Sequence, residues 1–278
     1  MKRKVIDIDQ IFDNFLVKYI NENRGKFDEK EWESKIVNLY NEFLVSEIEE
    51  LGGVAPINYY KDASAEELVE LLVNHVEQEV SVPDALCEAL SLVDCDSLLL
   101  NCLNNTQSEE LIFYCVNILS ERNSTIAFNK YFDLLLSEVS SEDLKELLAE
   151  KLSENAEDAK ERALEIYESA DSSQIYLLEI FARCKNDDRV FNLLINELKA
   201  HKGDLALYLS YVSKYGDEKA LPVLLELIDD DNISYVDFKE LKLAIECFGG
   251  EYTKQRDFSH DRAFNKLKRN NGDESERN

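Results

Sequence analysis

Four segments of this 278-residue chain open on Asn or Asp and run into a leucine-rich stripe, beginning near Asn123, Asn155, Asp187 and Asp217 at intervals of 32, 32 and 30 residues. A fixed interval of that size marks an array built from one supersecondary unit. Partner stretches lie beside them, Ser108 to Arg122, Ser141 to Glu154, Ser172 to Cys184 and Asp204 to Tyr215, so each unit is a helical hairpin. Apolar residues recur at three and four positions, as in Leu221, Leu224, Leu225 and Ile228, or Val190, Leu193, Leu194 and Leu198. That spacing puts them on one helix face. Neither helix of a hairpin can bury its stripe alone, whereas stacked hairpins bury a continuous core. Asp217, Asp187 and Ser141 stand where an N-cap acceptor is wanted, and Gly203, Gly216 and Gly249-Gly250 stand where helices stop. Only 8 Gly and 3 Pro are present, too few for the turns of an all-β fold or the phosphate loops of an α/β fold. The expected class is all-α, an α-solenoid of helical hairpins.

The stretch Tyr215-Gly-Asp-Glu-Lys-Ala-Leu-Pro222-Val-Leu-Leu-Glu-Leu-Ile-Asp-Asp-Asp231, followed by Leu241-Lys-Leu-Ala-Ile-Glu-Cys-Phe-Gly249, resembles a HEAT repeat of the short, lyase-associated kind. Such repeats read G-D-x-x-A-L-P-x-L-L-x-L-L, an acidic turn, and a second helix ending A-L-x-x-x-G. The resemblance is clearest over residues 172 to 250; residues 84 to 171 keep the period without the wording. Where the family opens its second helix with Val-Arg, this chain has Tyr235-Val236-Asp237-Phe238. The resemblance implies HEAT-like hairpins over residues 81 to 250.

Residues 1 to 80 do not repeat. Asp7 to Asn23 and Asp28 to Leu51 read as amphipathic helices, the second opening on a capping box, Asp28 with Glu31, and Ser64-Ala-Glu-Glu67 opens a third. Between them Gly52-Gly-Val-Ala-Pro56 must be irregular, with the proline pushing Ala55 to an extended conformation. A solenoid needs its open end covered, so this region is expected to be a helical N-terminal cap, the alternative being a separate recognition module.

Fifty-eight Asp and Glu against 31 Lys and Arg give a formal charge of −27, on a chain that is 45% hydrophobic and so able to fold. Such a surface repels phosphate, which argues against nucleic acid or an anionic membrane as a partner of the body of the protein. No run approaches the roughly 20 apolar residues of a membrane span, and Met1-Lys-Arg-Lys is not followed by a signal-peptide core. A cytoplasmic location is expected. The six cysteines, Cys87, Cys95, Cys102, Cys115, Cys184 and Cys247, lack zinc-ligand spacing and read as small buried hydrophobes kept as thiols.

Chemistry is hard to locate. His75 has apolar neighbours and reads as a core-edge side chain, His201 ends a helix where imidazole suits the dipole, and Ser259-His260-Asp261 is too local for a triad. The His-Glu dipeptides used by iron-dependent hydroxylases with HEAT-like folds are missing, and DNA glycosylases with such repeats need a basic face. Asp187-Asp188 and Asp229-Asp230-Asp231 read as solvated turns, without the glycine of a calcium loop. No catalytic, cofactor-binding or metal-binding residue is singled out.

What remains is surface. The expected function is a non-enzymatic protein–protein interaction scaffold that binds a basic or amphipathic partner segment, protein or peptide, on an acidic concave face. The alternative is an accessory enzyme of the bilin-lyase type or another small-molecule modifier, which would need a deep apolar pocket with convergent polar groups. Residues opposite the stripes are the ones offered to a partner: Arg189, Asn192, Asn196 and Lys199; Glu218, Glu226 and Asp229; Asn129, Asp133 and Ser137. Charge then reverses in residues 251 to 278, where seven basic residues meet six acidic ones and Phe258, Phe264 and Leu267 interleave with them. Residues 254 to 269 are expected to dock on the body, as a cap on the last hairpin or as a cover over the acidic groove, and 270 to 278 to form a disordered end.

Overall fold

The computed structural model describes residues 3–266, and they are helical nearly throughout. No strand forms among them, and the one β-type contact is an isolated antiparallel bridge between Ile48 and Val54. No helix among the described residues is long and apolar enough to cross a membrane. The chain divides into two compact units, Met1–Asp133 and Leu134–Asn278.

The first unit opens with α1 (Ile8–Glu22), whose N-cap Asp7 accepts a hydrogen bond from the Gln10 amide at 2.8 Å, and α2 (Glu29–Val45), which begins on the Asp28/Glu31 capping box. Aromatic rings join the pair: Phe12 meets Tyr40 edge-on at 4.9 Å and Phe43 at 5.3 Å. Helix α2 ends at Val45, six residues before the expected Leu51. There the Ser46 hydroxyl turns back to the Glu42 carbonyl at 2.6 Å, and the chain leaves extended to make the Ile48–Val54 bridge. Gly52 then takes a left-handed φ of 72°, and Ala55 is extended ahead of Pro56. Ser64 caps α3 (Ala65–Glu77), which packs against α4 (Asp84–Leu92), α5 (Asp96–Asn105) and α6 (Glu109–Glu121). Arg3 fastens the N-terminal strand-like segment to α3 through Glu67, at 2.9 Å from the Arg3 amide and 3.1 Å from its guanidinium. Helix α7 (Phe128–Leu135) starts five residues after Asn123, which itself sits in a left-handed turn with φ 53°.

In the second unit follow α8 (Glu142–Glu154), α9 (Ala156–Ile166), α10 (Gln174–Arg183), α11 (Asp188–Ala200), α12 (Leu205–Tyr215), α13 (Leu221–Ile228) and α14 (Tyr235–Cys247). Helix α8 packs on α10, α10 on α12 and α12 on α14, while α9, α11 and α13 pack on their even-numbered neighbours. The result is one row of second helices backed by first helices. Their stripes fill the space between, with Leu148, Leu152, Leu177, Phe181, Val190, Leu198, Leu224 and Ile228 all fully buried. Turn chemistry fixes the ends. Asp187 and Asp217 cap as expected, Pro222 sits in the first turn of α13, and Gly216 closes α12 with φ 75°. At Gly250 a Cβ would come within 2.5 Å of Leu221 Cδ1 and 2.9 Å of Ile245 Cγ2, so any larger residue would require those side chains to move.

Polar ties between successive hairpins recur at a separation of 28 residues. The Lys185 amide donates to Glu157 at 2.8 Å, the Asp187 amide to the Tyr215 hydroxyl at 2.9 Å, Arg189 to Glu161 at 2.6 Å and Lys202 to Asp230 at 2.7 Å. The C-terminal segment continues the series. Arg256 donates to the carbonyls of Ile228 at 3.1 Å and Asp230 at 2.6 Å, capping the exposed carbonyl end of α13, and Lys254 and Tyr252 both reach the Asp229 carboxylate. Phe258 and Phe264 pack against Tyr235, and Phe258 also against Phe238. The segment therefore docks on the last hairpin in the manner of a cap, through 266; Leu267, Lys268, Arg269 and the expected tail 270 to 278 lie outside the described residues.

Candidate functional site

The ten residues expected to meet a partner lie on first helices or their turns. Asn129, Asp133, Asn192, Asn196, Lys199, Glu218 and Glu226 are exposed, and Ser137 is half-buried. Arg189 is exposed but engaged: its guanidinium bridges Glu161 and Asp187 at 2.6 and 2.7 Å. Asp187 is also 3.4 Å from Lys160, which pairs with Glu157 at 2.7 Å. Arg189 beside it holds the Asp187 carboxyl well below the usual carboxylate range. Asp229 is engaged by Lys254 and Tyr252. Asn129 and Asp133 belong to the first unit and the other eight to the second. On α9, α11 and the turns behind α13, charges of opposite sign thus alternate and satisfy one another.

The row of second helices is different. Helices α8, α10 and α12 enclose an open hollow of about 410 Å³, lined by Glu146, Ala149 and Glu150 from α8, Ile175, Tyr176 and Glu179 from α10, and Tyr211 from α12. The helical period explains this lining, since Ile175, Tyr176 and Glu179 share a face of α10 turned away from the buried Leu177, Leu178 and Phe181. Glu142 and Glu146 take part in no ion pair among the described residues. Glu150 pairs with Lys151 at 3.1 Å, and Glu179 receives Lys214 at 2.9 Å on both oxygens. The carboxylates act on the tyrosines beside them. Burial first, then Glu142 and Glu146, raise the pKa of Tyr176; burial, then Glu179, pushes that of Tyr211 up to about 12. Further along the same row, Leu207 on α12 and Val236 and Leu243 on α14 are exposed apolar side chains.

None of these hollow residues was singled out in the sequence. The tyrosines fall within apolar helical patterns, and only the packing of helices some 30 residues apart brings them beside the glutamates.

The histidines and cysteines take their places elsewhere. His75 on α3 is fully buried, and its Nδ1–H donates to the Ser81 carbonyl at 2.9 Å; burial lowers its pKa. His201 caps α11 and stacks on Tyr208 at 4.3 Å, and His260 is exposed. All six cysteines are free thiols, with Cys95, Cys115 and Cys184 buried and Cys247 exposed. Among the described residues no group of three or more His, Cys, Asp or Glu side chains is arranged to hold a metal ion. No family model, curated protein or solved structure matches the chain.

Proposed function

We propose that the helical hairpins of residues 81–250 are HEAT-like repeats and that the protein is a non-enzymatic interaction scaffold, binding a basic or amphipathic partner segment along the row of α8, α10 and α12. The observation that carries this reading is the uneven pairing of charge. First helices and their turns pair Glu157, Glu161, Asp187, Asp188 and Asp230 with lysines and arginines, whereas α8 and α10 bring Glu146, Glu150 and Glu179 to a tyrosine-lined hollow, where Glu150 meets Lys151, Glu179 meets Lys214 and Arg183, and Glu146 takes part in no ion pair among the described residues. Supporting the repeat identity are the alternating packing of helices and the 28-residue recurrence of polar ties. In this reading Arg189 and Asp229 hold the hairpins together, and the partner meets the second helices.

The test is fluorescence anisotropy with a labelled peptide of alternating Lys and Leu against one of alternating Glu and Leu, titrated with the full chain at 50 and 500 mM salt. The basic peptide is expected to bind, with an affinity that falls steeply at the higher salt, and the acidic peptide not to bind. Equal binding of the two peptides, or none, would overturn the reading.

A further inference from the structure

We propose that Cys102 and Cys115 are a peroxide-responsive pair, in which Cys102 reacts with a hydroperoxide and Cys115 resolves the product into a reversible disulfide between α5 and α6.

The fold brings these two sulfurs together. Helices α5 and α6 pack along one another and are joined by only Thr106-Gln107-Ser108. Both ends of that turn are fixed, the Thr106 amide donating to the Cys102 carbonyl at 2.9 Å and the Leu111 amide to the Ser108 hydroxyl at 3.3 Å. Across the hairpin the Cys115 thiol donates to the Cys102 sulfur. Other buried thiols bond to the backbone instead: Cys95 donates to the Leu90 carbonyl at 3.3 Å and Cys184 to that of Ile180 at 3.5 Å. Packed helices with axes about 8–10 Å apart and Cα atoms on a radius of about 2.3 Å bring facing positions within the Cα span of a disulfide, about 4.4–6.8 Å. Closing the bond asks for an approach of two side chains, and the hairpin can stay as it is.

The two thiols are unequal in the way this chemistry needs. Cys102 is half-buried, so a small oxidant can reach it, whereas Cys115 is fully buried. Their hydrogen bond favours the thiolate of Cys102, and that bond, then burial, keeps the proton on Cys115. A partly exposed thiolate beside a protonated thiol is a nucleophile with its resolving partner in place. With hydrogen peroxide, the Cys102 thiolate attacks one oxygen: an S–O bond forms, the O–O bond breaks, and the departing hydroxide takes up the proton that Cys102 had released. The Cys115 sulfur then attacks the sulfenic sulfur of Cys102. The S–S bond forms, the S–O bond breaks, and the second hydroxide leaves as water with the Cys115 proton. Two thiols have lost two electrons, and the peroxide has become two waters. A dithiol reverses the reaction by exchange.

The test exposes the full chain, reduced and freed of reductant, to a small excess of hydrogen peroxide at pH 7. Remaining thiols are blocked with N-ethylmaleimide, and the chain is mapped by mass spectrometry after non-reducing digestion with Glu-C and chymotrypsin, which cut between Cys95, Cys102 and Cys115. Two of the six thiols should disappear, a Cys102–Cys115 cross-link should account for them, and dithiothreitol should restore both. Cys102 should react at least about tenfold faster than Cys87, whose thiol burial keeps protonated. In Cys115→Ala the sulfenic acid of Cys102 should persist and be trapped by dimedone, and in Cys102→Ser the cross-link and the fast consumption of peroxide should both be lost. Circular dichroism melts of the two variants keep loss of fold apart from loss of reaction, and the mapping of the parent chain depends on neither. An unchanged thiol count, a cross-link through any other cysteine, or peroxide consumption by Cys102→Ser equal to that of the parent chain would overturn the proposal.

Discussion

Replacing Arg256 with alanine should destabilise the second unit by far more than replacing its neighbour Lys254, although both side chains are basic and both reach the same acidic turn. The Arg256 side chain is 18% exposed and donates to the carbonyls of Ile228, Asp229 and Asp230 and to the Asp231 carboxylate, at 2.6 to 3.3 Å. Those carbonyls end α13 and have no helical donors, so removing the guanidinium leaves those of Ile228 and Asp229 with water alone, while that of Asp230 keeps the Ile233 amide at 3.2 Å. A cation at a partly buried helix C-terminus contributes up to about 2 kcal/mol, and charged hydrogen bonds about 1.5–3 kcal/mol. A net loss of about 2–3 kcal/mol follows, or about 4–12 °C in Tm for a domain of this size. Lys254 is 66% exposed and holds Asp229 through one solvent-screened pair, so its removal should leave the melt nearly unchanged. Thermal melts by circular dichroism at 50 and 500 mM salt separate the two, because the Arg256 effect should persist at high salt. If Arg256→Ala shifts Tm no more than Lys254→Ala, the cap on α13 is not what holds the segment and the reasoning fails.

Two further outcomes are expected. Burial lowers the His75 pKa in the folded state, whereas the unfolded chain takes up a proton near 6.5; stability is therefore full above about pH 6.5 and drains away as pH falls below it. The urea midpoint should drop between pH 7.5 and 5.5 and the drop should shrink in His75→Gln; an equal drop in that variant would assign it to other groups. A hydrogen bond from Cys115 lowers the pKa of the Cys102 thiol, while burial pushes those of Cys87 and Cys95 up to about 11. Brief iodoacetamide treatment at pH 7 followed by peptide mapping should therefore find Cys102 alkylated ahead of both, and labelling of Cys87 first would contradict the contact with Cys115.

How far the sequence could be read depended on the range of the interaction involved. Local signals worked: Asp7, Asp28, Ser64, Ser141, Asp187 and Asp217 all cap helices, and Pro56 makes Ala55 extended. Helix ends were less legible where a competing local bond intervened. The Ser46 back-bond ends α2 at Val45 within a stretch whose residues suit a helix, and the left-handed turn at Asn123 delays α7 to Phe128. Surface roles were the least legible. Arg189 looks free on its own helix and is bound by Glu161, 28 residues earlier; Tyr176 and Tyr211 look like stripe residues and line a hollow. Periodicity shows which face of a helix is polar, but which polar face meets another helix depends on packing.

The 28-residue ties have a kinetic consequence. Each closes a loop no longer than one hairpin, so the entropy lost in forming one contact does not grow with the length of the unit. Contacts this local in sequence favour rapid folding, with any hairpin able to start and its neighbours adding on. Opening should run the other way and begin at an end, where a hairpin has a neighbour on one side only. At the C-terminal end the first bonds to break are those of Arg256 to α13, so hydrogen exchange in α13 and α14 should report the departure of that one side chain before the amides of α10 exchange at all.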